Sequence, residues 1–379
     1  MRYYLLAGEA SGDLHGAHLI QALKAEDADA QFRCWGGDLM QQAGGKVVKH
    51  YRDLAFMGFL EVARNLPVIL RNFRFCKTDL QEYRPDVLIL IDYPGFNLRM
   101  ARWAYQNGLR VFYYISPQLW AWHSSRVHQI KKYVERLFVI LPFEQEFYRQ
   151  YDYRVDFVGH PLLDVVENFA ASPDFHRQND LPNKPLIALL PGSRRQEIAR
   201  MLKGMLKIVP SFPDHHFAIA GAPSIELSFY EDLLAELPPA ATERISLLTG
   251  QTYPLLATAE AALVTSGTAT LEAALFDAPQ VVCYRGNPLS YRIARRLVNV
   301  SYISLVNLIA GREVVKELIQ NDFEPRQIER ELRRILDPET ARKIRRDYAE
   351  IRQRLGNGGA SRRAAHLIVE YLRNPQDKN

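Results

Sequence analysis

Short apolar runs alternate with amphipathic, helix-like stretches along this chain, and this alternation constrains the fold more than any other feature. Such short runs are typical of parallel strands that helices cover on both faces. The alternation occurs twice, on either side of a linker-like stretch at 166–185. The sequence therefore predicts an α/β protein with two doubly wound parallel sheets. The predicted strands are 3–7, 87–91, 111–115, 186–190, 217–220, 261–264 and 280–284, and the predicted helices are 14–25, 98–107, 197–208 and 268–276.

The length of 379 residues supports two domains, because a single hydrophobic core stops growing at roughly 250 to 300 residues. We expect a Rossmann-like domain over residues 1–170 and a second over residues 184–324, facing each other across a cleft. Basic, charged helices are expected over residues 325–379.

Composition excludes several classes of protein. With 47% hydrophobic and 24% charged residues, the chain is neither disordered nor fibrous. No run reaches the roughly 18 apolar residues of a membrane span, and the N-terminal segment turns acidic at Glu9 before a signal-peptide core could form. We therefore expect a cytoplasmic protein. The cysteines, Cys34, Cys76 and Cys283, are far apart, so neither a disulfide framework nor a zinc cluster is indicated.

Positive charge is concentrated near the C-terminus. The net charge of the chain is +5, but residues 326–379 alone carry 14 Lys and Arg against 8 Asp and Glu. These residues form either solvated terminal helices or a basic face that meets an anionic surface. A nucleic-acid-binding module could also use these arginines, but it would leave the motifs described below unexplained, so no nucleic-acid partner is expected.

Residues 51–77 are unusually apolar and basic for a soluble α/β domain. Phe56, Met57 and Phe59 belong to this stretch, which also carries several arginines and almost no acid. A helix pair that covers its own core is one interpretation. The other, which we favour because apolar residues surround nearly the whole helix, is a segment that lies in a bilayer interface or contacts acyl chains.

The first predicted strand ends in a glycine turn, Gly8-Glu9-Ala10-Ser11-Gly12-Asp13. The turn is not GxGxxG, and its two carboxylates would repel a pyrophosphate, so a dinucleotide site is disfavoured. Ser11 or Asp13 could cap the following helix. Glu9 is not needed for capping, and a carboxylate at this end of a parallel sheet faces the ligand crevice.

Two further loops follow predicted strands of the first domain. Asp92 comes directly after strand 87–91, where an apolar wall can tune its pKa for general-base catalysis, although a turn or cap role is equally open. The next strand leads into a loop with Trp120 and Trp122. Their rings suit sugar faces or acyl chains, or else pack between the loop and the sheet.

The second domain has two small-residue turns, each leading from a strand into a helix. In the first turn, the helix N-terminus behind Gly192 and Ser193 and the guanidinium of Arg194 predict a phosphate site. The second turn contains Ser266, Gly267 and Thr268, and Glu272 lies one turn inside its helix, where a carboxylate can hold two ribose hydroxyls. Together they predict a nucleotide-diphosphate site without a Walker lysine and without an acidic cluster to bind a metal.

These motifs together resemble those of the lipid-A-disaccharide synthases, glycosyltransferases with the two-Rossmann architecture called GT-B. The resemblance covers nearly the whole chain. The matching motifs are Gly8–Asp13, Ile91–Asn97, Ser116–Trp122, Leu141–Glu144, Gly159–Pro161, Leu190–Arg194, Ser266–Glu272 and Leu305–Glu313. UDP-N-acetylglucosamine 2-epimerases share the fold and the nucleotide-site pattern, but they have no use for the hydrophobic stretch at 51–77.

The resemblance implies transfer of a 2,3-diacylglucosamine unit from its UDP conjugate to the 6-hydroxyl of 2,3-diacylglucosamine 1-phosphate. An α-linked donor and a β-1,6-linked product imply inversion, which needs one base and no covalent intermediate. Neither a cofactor nor a metal is implied. The implied roles are base for Asp92, with Glu9 and Asp13 as alternatives, stabilisation of the departing diphosphate for Arg194, ribose binding for Glu272, and further donor contacts for Asn307 and Arg312.

The resemblance also implies acyl and acceptor contacts in the first domain. The residues expected there are Ser11, Trp120, Trp122, Arg126, Phe56, Met57 and Phe59. His123 stands where the family usually has a basic residue, so either His123 or Arg126 meets the acceptor phosphate. Acylated substrates imply peripheral docking on the anionic inner face of the cytoplasmic membrane, and a homodimer stays open.

Overall fold

The structure, a computed structural model, describes residues 1–54, 66–120, 124–287 and 301–374. It divides into two compact units. The first consists of Met1–Asp164 together with the segment from Asn357 onward, and the second is Val165–Gly356.

A parallel sheet forms the centre of the first unit. Its described strands are β1 (Arg2–Ala7), β2 (Gln31–Gly36), β3 (Lys46–His50), β4 (Val87–Ile91), β5 (Val111–Tyr114), β6 (Arg136–Val139) and β7 (Asp156–Phe157), in the order β3-β2-β1-β4-β5-β6-β7. Its described helices are α1 (Ala10–Glu26), α2 (Asp38–Gln42), α3 (Leu66–Tyr83), α4 (Pro94–Gln106), α5 (Val127–Tyr133), α6 (Pro142–Arg149) and α7 (Pro161–Glu167), the last of which crosses into the second unit.

Both faces of this sheet are buried, which is why its central strands are continuously apolar. Tyr3 and Leu5 of β1 belong to one core cluster, and Tyr4 and Leu6 belong to another on the opposite face. All four side chains have no exposed surface. Strand β2, which lies between β1 and the edge strand β3, begins with alternating polar and apolar residues, and the search for continuous apolar runs did not predict it.

The second unit repeats this architecture. Its described strands are β8 (Leu186–Leu190), β9 (His216–Gly221), β10 (Ile245–Thr249), β11 (Ala261–Thr265), β12 (Gln280–Tyr284) and β13 (Lys316–Ile319), in the order β10-β9-β8-β11-β12-β13. Its described helices are α8 (Phe175–Gln178), α9 (Arg195–Leu206), α10 (Leu227–Leu234), α11 (Pro239–Thr242), α12 (Thr252–Thr258), α13 (Thr268–Leu275), α14 (Leu305–Ala310), α15 (Pro325–Leu336) and α16 (Pro338–Arg354). The prediction of two doubly wound parallel sheets is confirmed.

The predicted boundary at residue 325 implied that the C-terminal helices form a segment of their own. In the structure they are divided between the two units. Helices α15 and α16 belong to the second unit, and the chain returns to the first unit at Asn357. There helix α17 (Ala360–Arg373) packs on α1. Its apolar side chains Ala364, Ile368 and Val369 are buried in the core of that unit. Packing against α1 removes this apolar face from water, which stabilises the helix in the first unit.

Candidate active site

Each sheet reverses its strand order at one place. In the first unit the reversal lies between β1 and β4, and in the second it lies between β8 and β11. Ligands of doubly wound sheets bind beyond the carboxyl ends of the strands at this reversal. The register pairs Ala7 with Ile91, so the loops that begin at Gly8 and Asp92 leave the sheet side by side. The motifs singled out in the sequence thus occupy the positions where the topology of each unit favours a ligand.

The backbone at Asp92 is held in an uncommon conformation. Asp92 and Tyr93 both have positive φ angles, 43° and 51°. The Asp92 carbonyl accepts hydrogen bonds from the hydroxyl of Tyr113 and from the side-chain amide of Asn97, each at 2.6 Å. The ring of Tyr93 lies on Gly8, where an added Cβ would be 2.3 Å from its Cδ1 atom. Strain of this kind persists only where neighbouring groups impose it, and it is concentrated at functional sites.

The electrostatic environment of Asp92 suits a general base. Burial and, second, the negative charge of Glu9 raise the pKa of Asp92 to about 6, while a hydrogen bond from the backbone N–H of Tyr93 opposes the rise. A carboxylate with a pKa near the working pH is both ionised and basic enough to accept a proton. Glu9, the N-cap residue of α1, makes no side-chain cap hydrogen bond.

Asp13 has a structural role in this arrangement. Its carboxylate accepts hydrogen bonds from the backbone N–H groups of Gly37, Leu39 and Met40 at 2.7, 3.1 and 3.0 Å. The side chain is buried and stabilises the start of α2. Because backbone donors occupy this carboxylate, its geometry is that of a cap for a neighbouring helix. Ser11, in contrast, is exposed in the first turn of α1.

The loop after β5 is fixed by a buried polar cluster that sequence reasoning missed. Ile115, a β-branched residue, has a φ of +66°, and the next residue, Ser116, shares a 2.6 Å hydrogen bond with the hydroxyl of Tyr148. Glu144 accepts hydrogen bonds from the N–H groups of Ile140 and Leu141. Burial raises the pKa of Glu144 to about 8, so this carboxyl is largely protonated at neutral pH. The sequence Leu141–Glu144 is compatible with Glu144 capping the helix that follows, but nothing in it indicates that Glu144 is buried.

Trp120 belongs to the same loop and packs edge-on against Phe143 of α6, with ring centroids 4.9 Å apart. Its indole N–H is buried without a hydrogen-bond partner among the described residues. Arg126 is half-buried and ends a single 3-10 turn before α5. Trp122 and His123, like Phe56, Met57 and Phe59, lie outside the described residues.

The turn after β8 differs from its expected form. Gly192 has a φ of +113°, and the carboxylate of Glu197 lies over it, 2.2 Å from where a Cβ would stand. This carboxylate accepts a hydrogen bond from the N–H of Ser193 and one from the N–H of Arg194. The backbone donors expected to be free for a phosphate are thus used by the protein itself. The exposed side chain of Arg194 stays available to an anion.

The turn after β11 is more open. Gly267 has a φ of +146°, and no atom lies within 4 Å of where its Cβ would stand. Thr268 is the first residue of α13 and is exposed. The Ser266 hydroxyl donates to the carbonyl of Ile303 at 3.0 Å, which fixes the turn from behind. Strands β8 and β11 are neighbours, so this turn and the Arg194 side chain leave the same edge of the sheet.

Glu272 lies one turn inside α13. Burial raises the pKa of Glu272, and a hydrogen bond from the hydroxyl of Tyr253, at 3.2 Å, opposes the rise. The side chain is half-buried, so the carboxylate combines partial shielding from water with access for a ligand.

Asn307 and Arg312 have structural contacts where donor contacts were expected. Asn307 is fully buried, and its amide group donates to the Val315 carbonyl and Glu317 and accepts from the N–H groups of Val314 and Val315. The Arg312 guanidinium forms ion pairs with Asp347 and Glu350 of α16. Both polar atoms of the Asn307 amide are therefore used within the unit, whereas Arg312 pairs through Nη2 alone and its side chain is 44% exposed. The sequence did not reveal these contacts, because Glu317, Asp347 and Glu350 lie on other elements and the chain must turn back after α14 to bring Val314 and Val315 to Asn307.

The described residues contain neither a metal-binding cluster of side chains nor a membrane-spanning helix. No group of three or more His, Cys, Asp or Glu side chains among them could hold a metal ion together. No helix in the described ranges is long and apolar enough to cross a membrane.

Two doubly wound parallel-sheet units, one following the other along the chain, are the architecture of the GT-B fold class. The structure superimposes on the UDP-bound structure of S. aureus MnaA with a TM-score of 0.71, over 100% of this chain and 98% of that one, at 14% sequence identity. At this identity the likeness shows the fold alone.

Sequence comparisons identify the family. Residues 3–370 match the family model described as lipid-A-disaccharide synthetase. The lipid-A-disaccharide synthase of Syntrophus aciditrophicus is 41% identical over 375 residues, which are 97% of each chain. That of Trichlorobacter lovleyi is 40% identical over 377 residues, 98% of this chain and 97% of the relative. The chain belongs to the lipid-A-disaccharide synthetase family, and it is a glycosyltransferase of lipid A disaccharide synthesis.

Proposed function

We propose that the enzyme transfers 2,3-diacylglucosamine from UDP-2,3-diacylglucosamine to the 6-hydroxyl of 2,3-diacylglucosamine 1-phosphate, with inversion at the anomeric carbon. The products would be the β-1,6-linked disaccharide 1-phosphate and UDP. The observation that carries the proposal is the position of Asp92 at the strand-order reversal of the first unit, with a pKa of about 6 set by burial and by Glu9.

The proposed mechanism is a single displacement. The acceptor 6-hydroxyl gives its proton to Asp92 while its oxygen bonds to the anomeric carbon, and the bond from that carbon to the UDP oxygen breaks. One positioned base is enough for this reaction, because no covalent enzyme intermediate forms. The pKa of Asp92 keeps it ionised at neutral pH and makes it a stronger base than an ordinary surface aspartate.

The donor would bind to the second unit. Arg194 has an exposed guanidinium that can stabilise the charge developing on the departing diphosphate. The open turn at Ser266, Gly267 and Thr268 starts α13, whose N-terminus attracts anions. Glu272 would accept hydrogen bonds from the ribose hydroxyls. Since Glu197 occupies the backbone donors at Gly192, the open turn is the better candidate for the phosphates. No metal enters this mechanism.

Membrane docking would bring the enzyme to its acylated substrates. On α3, Leu70 and Phe75 are 49% and 42% exposed although they are apolar, and Arg71 and Arg74 are exposed beside them. This combination suits the boundary between acyl chains and lipid phosphates on the anionic inner face of the cytoplasmic membrane. Phe56, Met57 and Phe59, together with Ser11, Trp120, Trp122 and Arg126, complete the proposed acyl and acceptor contacts.

The direct test is product analysis. The purified enzyme is incubated with both acylated substrates, and the products are examined by mass spectrometry and by the proton coupling at the new anomeric centre. We expect one disaccharide 1-phosphate with a β linkage and one UDP per turnover, and none when either substrate is omitted. An α linkage would overturn inversion, and epimerisation of UDP-N-acetylglucosamine without disaccharide would overturn the proposed reaction.

A further inference from the structure

A tyrosine outside the motifs contacts the carboxylate assigned to the ribose. Tyr253 lies on α12, which follows β10 in the second unit. Its hydroxyl donates a hydrogen bond to Oε1 of Glu272 at 3.2 Å. Within the described part of the chain, no other side chain forms a hydrogen bond with this carboxylate, so the phenol alone sets its rotation by hydrogen bonding.

The ring of Tyr253 is itself held in place. It stacks on Phe276, with centroids 5.2 Å apart and an angle of 20° between the planes. Phe276 in turn packs edge-on against Phe169 at 5.0 Å. Two aromatic contacts thus fix the direction from which the hydroxyl reaches Glu272, and the hydroxyl leaves Oε2 of the same carboxylate for a ligand.

We propose that Tyr253 is a positioning residue that makes the donor site selective for a ribonucleoside diphosphate over its 2′-deoxy analogue. The inference rests on the proposed ribose-binding role of Glu272. A carboxylate discriminates more strongly between the two nucleotides when one oxygen is already oriented toward the 2′-hydroxyl, because a freely rotating group pays a larger ordering cost for the same bond. The Tyr253 hydroxyl supplies that aim before the nucleotide arrives.

The same contact sets the pH range of binding. Burial raises the pKa of Glu272, the hydrogen bond from Tyr253 opposes the rise, and among the described residues no charged group contributes to the shift. Glu272 must be ionised to accept from both ribose hydroxyls. Removal of the phenol hydroxyl therefore raises the pKa of Glu272 further, and UDP binding should be lost at a higher pH as the solution is acidified.

The experiment compares UDP with 2′-deoxy-UDP by calorimetry on the whole enzyme. The variants are Tyr253→Phe, which keeps the stacked ring, Glu272→Gln, and the control Tyr348→Phe. The hydroxyl of Tyr348 contacts Ala278 and Gln280 at the amino-terminal end of β12, away from the carboxyl ends of the strands where the ligand would bind. This control therefore removes a buried phenol hydroxyl from the same unit. The melting temperature of each variant and the binding of UDP across pH 5 to 8 are measured in parallel.

We expect the wild type and Tyr348→Phe to prefer UDP over 2′-deoxy-UDP. In Tyr253→Phe the preference should fall about threefold to tenfold, the worth of one hydrogen bond, with 2′-deoxy-UDP affinity nearly unchanged and the pH midpoint of UDP binding raised. An unchanged preference in Tyr253→Phe, while Glu272→Gln abolishes it, would overturn the positioning role and leave the ribose role intact. An unchanged preference in Glu272→Gln would overturn the ribose role itself. If Tyr253→Phe has a much lower melting temperature but the wild-type nucleotide preference, the contact stabilises the fold and the positioning role is overturned.

Discussion

The hydroxyl of Tyr113 donates a 2.6 Å hydrogen bond to the backbone carbonyl of Asp92, from one strand of the sheet to the end of its neighbour. Tyr113 is fully buried, so the bond is shielded from water. It helps to keep Asp92 at a positive φ angle. The carboxylate proposed as the base is thus placed by backbone contacts: it accepts a hydrogen bond from the backbone N–H of Tyr93, and among the described residues no side chain forms a hydrogen bond with it.

Replacement of Asp92 by Asn should reduce turnover by roughly 10² to 10⁴, the usual contribution of a positioned general base. The affinity for UDP should stay at the wild-type value, because the donor site lies in the other unit. The matched control is Asp86→Asn, since Asp86 precedes the same strand at its opposite end, where it accepts from the N–H of Arg2. Steady-state kinetics and UDP calorimetry check both. Wild-type turnover in Asp92→Asn would move the base to Glu9.

Replacement of Glu9 by Gln should shift the acid limb of the pH profile. With the pKa of Asp92 at about 6, kcat/KM should rise with pH through this value and then level off. The negative charge of Glu9 raises the pKa of Asp92, so its removal should move the midpoint to lower pH. Glu26→Gln, at the opposite end of α1, serves as the control and should not move it. A midpoint that stays in place in Glu9→Gln contradicts the coupling.

Replacement of Glu144 by Gln should flatten the pH dependence of stability. Glu144 has a pKa of about 8 in the folded protein, raised from the ordinary glutamate value of 4.5, so the folded state binds more protons than the unfolded state between these values. The free energy of unfolding therefore falls as the pH rises through this window. In denaturant titrations from pH 5 to 8, the free energy of unfolding of the wild type should fall relative to that of Glu144→Gln. Glu146→Gln, exposed on the same helix, should track the wild type.

Activity should be unaffected by EDTA. The nucleotide-diphosphate motifs contain no acidic cluster that could bring a metal to the phosphates, so Arg194 and the turn at Gly267 would have to neutralise the leaving group. A rate assay with and without the chelator checks this. A loss of activity that added Mg²⁺ restores would contradict the proposed donor site.

The sequence predicted the sheets and the position of Asp92 because both depend on local signals. A continuous apolar run indicates a buried parallel strand, and the residue after it must lie at the ligand-binding edge. The polar contacts of Asp13, Asn307 and Arg312 form only when the chain folds, so the sequence alone could not show that these side chains have partners within the protein. Tyr253 was missed for the same reason, because only the fold brings it to Glu272. Helix α17 was assigned to a separate segment because an amphipathic pattern shows that one face is buried but does not show which element it packs against.

Leu70 and Leu80 allow a matched test of membrane docking, because both are leucines of α3 with opposite environments. Leu70 is 49% exposed, whereas Leu80 is fully buried in the core. We expect Leu70→Ser to leave the free energy of unfolding within about 1 kcal/mol of the wild type, as for most surface changes. We expect Leu80→Ser to lower it by about 2 to 5 kcal/mol, the usual cost of deleting a buried leucine side chain.

Binding to lipid should show the opposite order. Leu70→Ser should weaken sedimentation with anionic phospholipid vesicles and raise the apparent KM for acylated substrate, since an apolar side chain at the interface is replaced by a polar one. Leu80→Ser, assayed below its melting temperature, should bind vesicles as the wild type does. Higher salt should weaken binding of the wild type, because Arg71 and Arg74 would contact lipid phosphates. If Leu70→Ser binds vesicles as tightly as the wild type, this face of α3 does not contact the membrane.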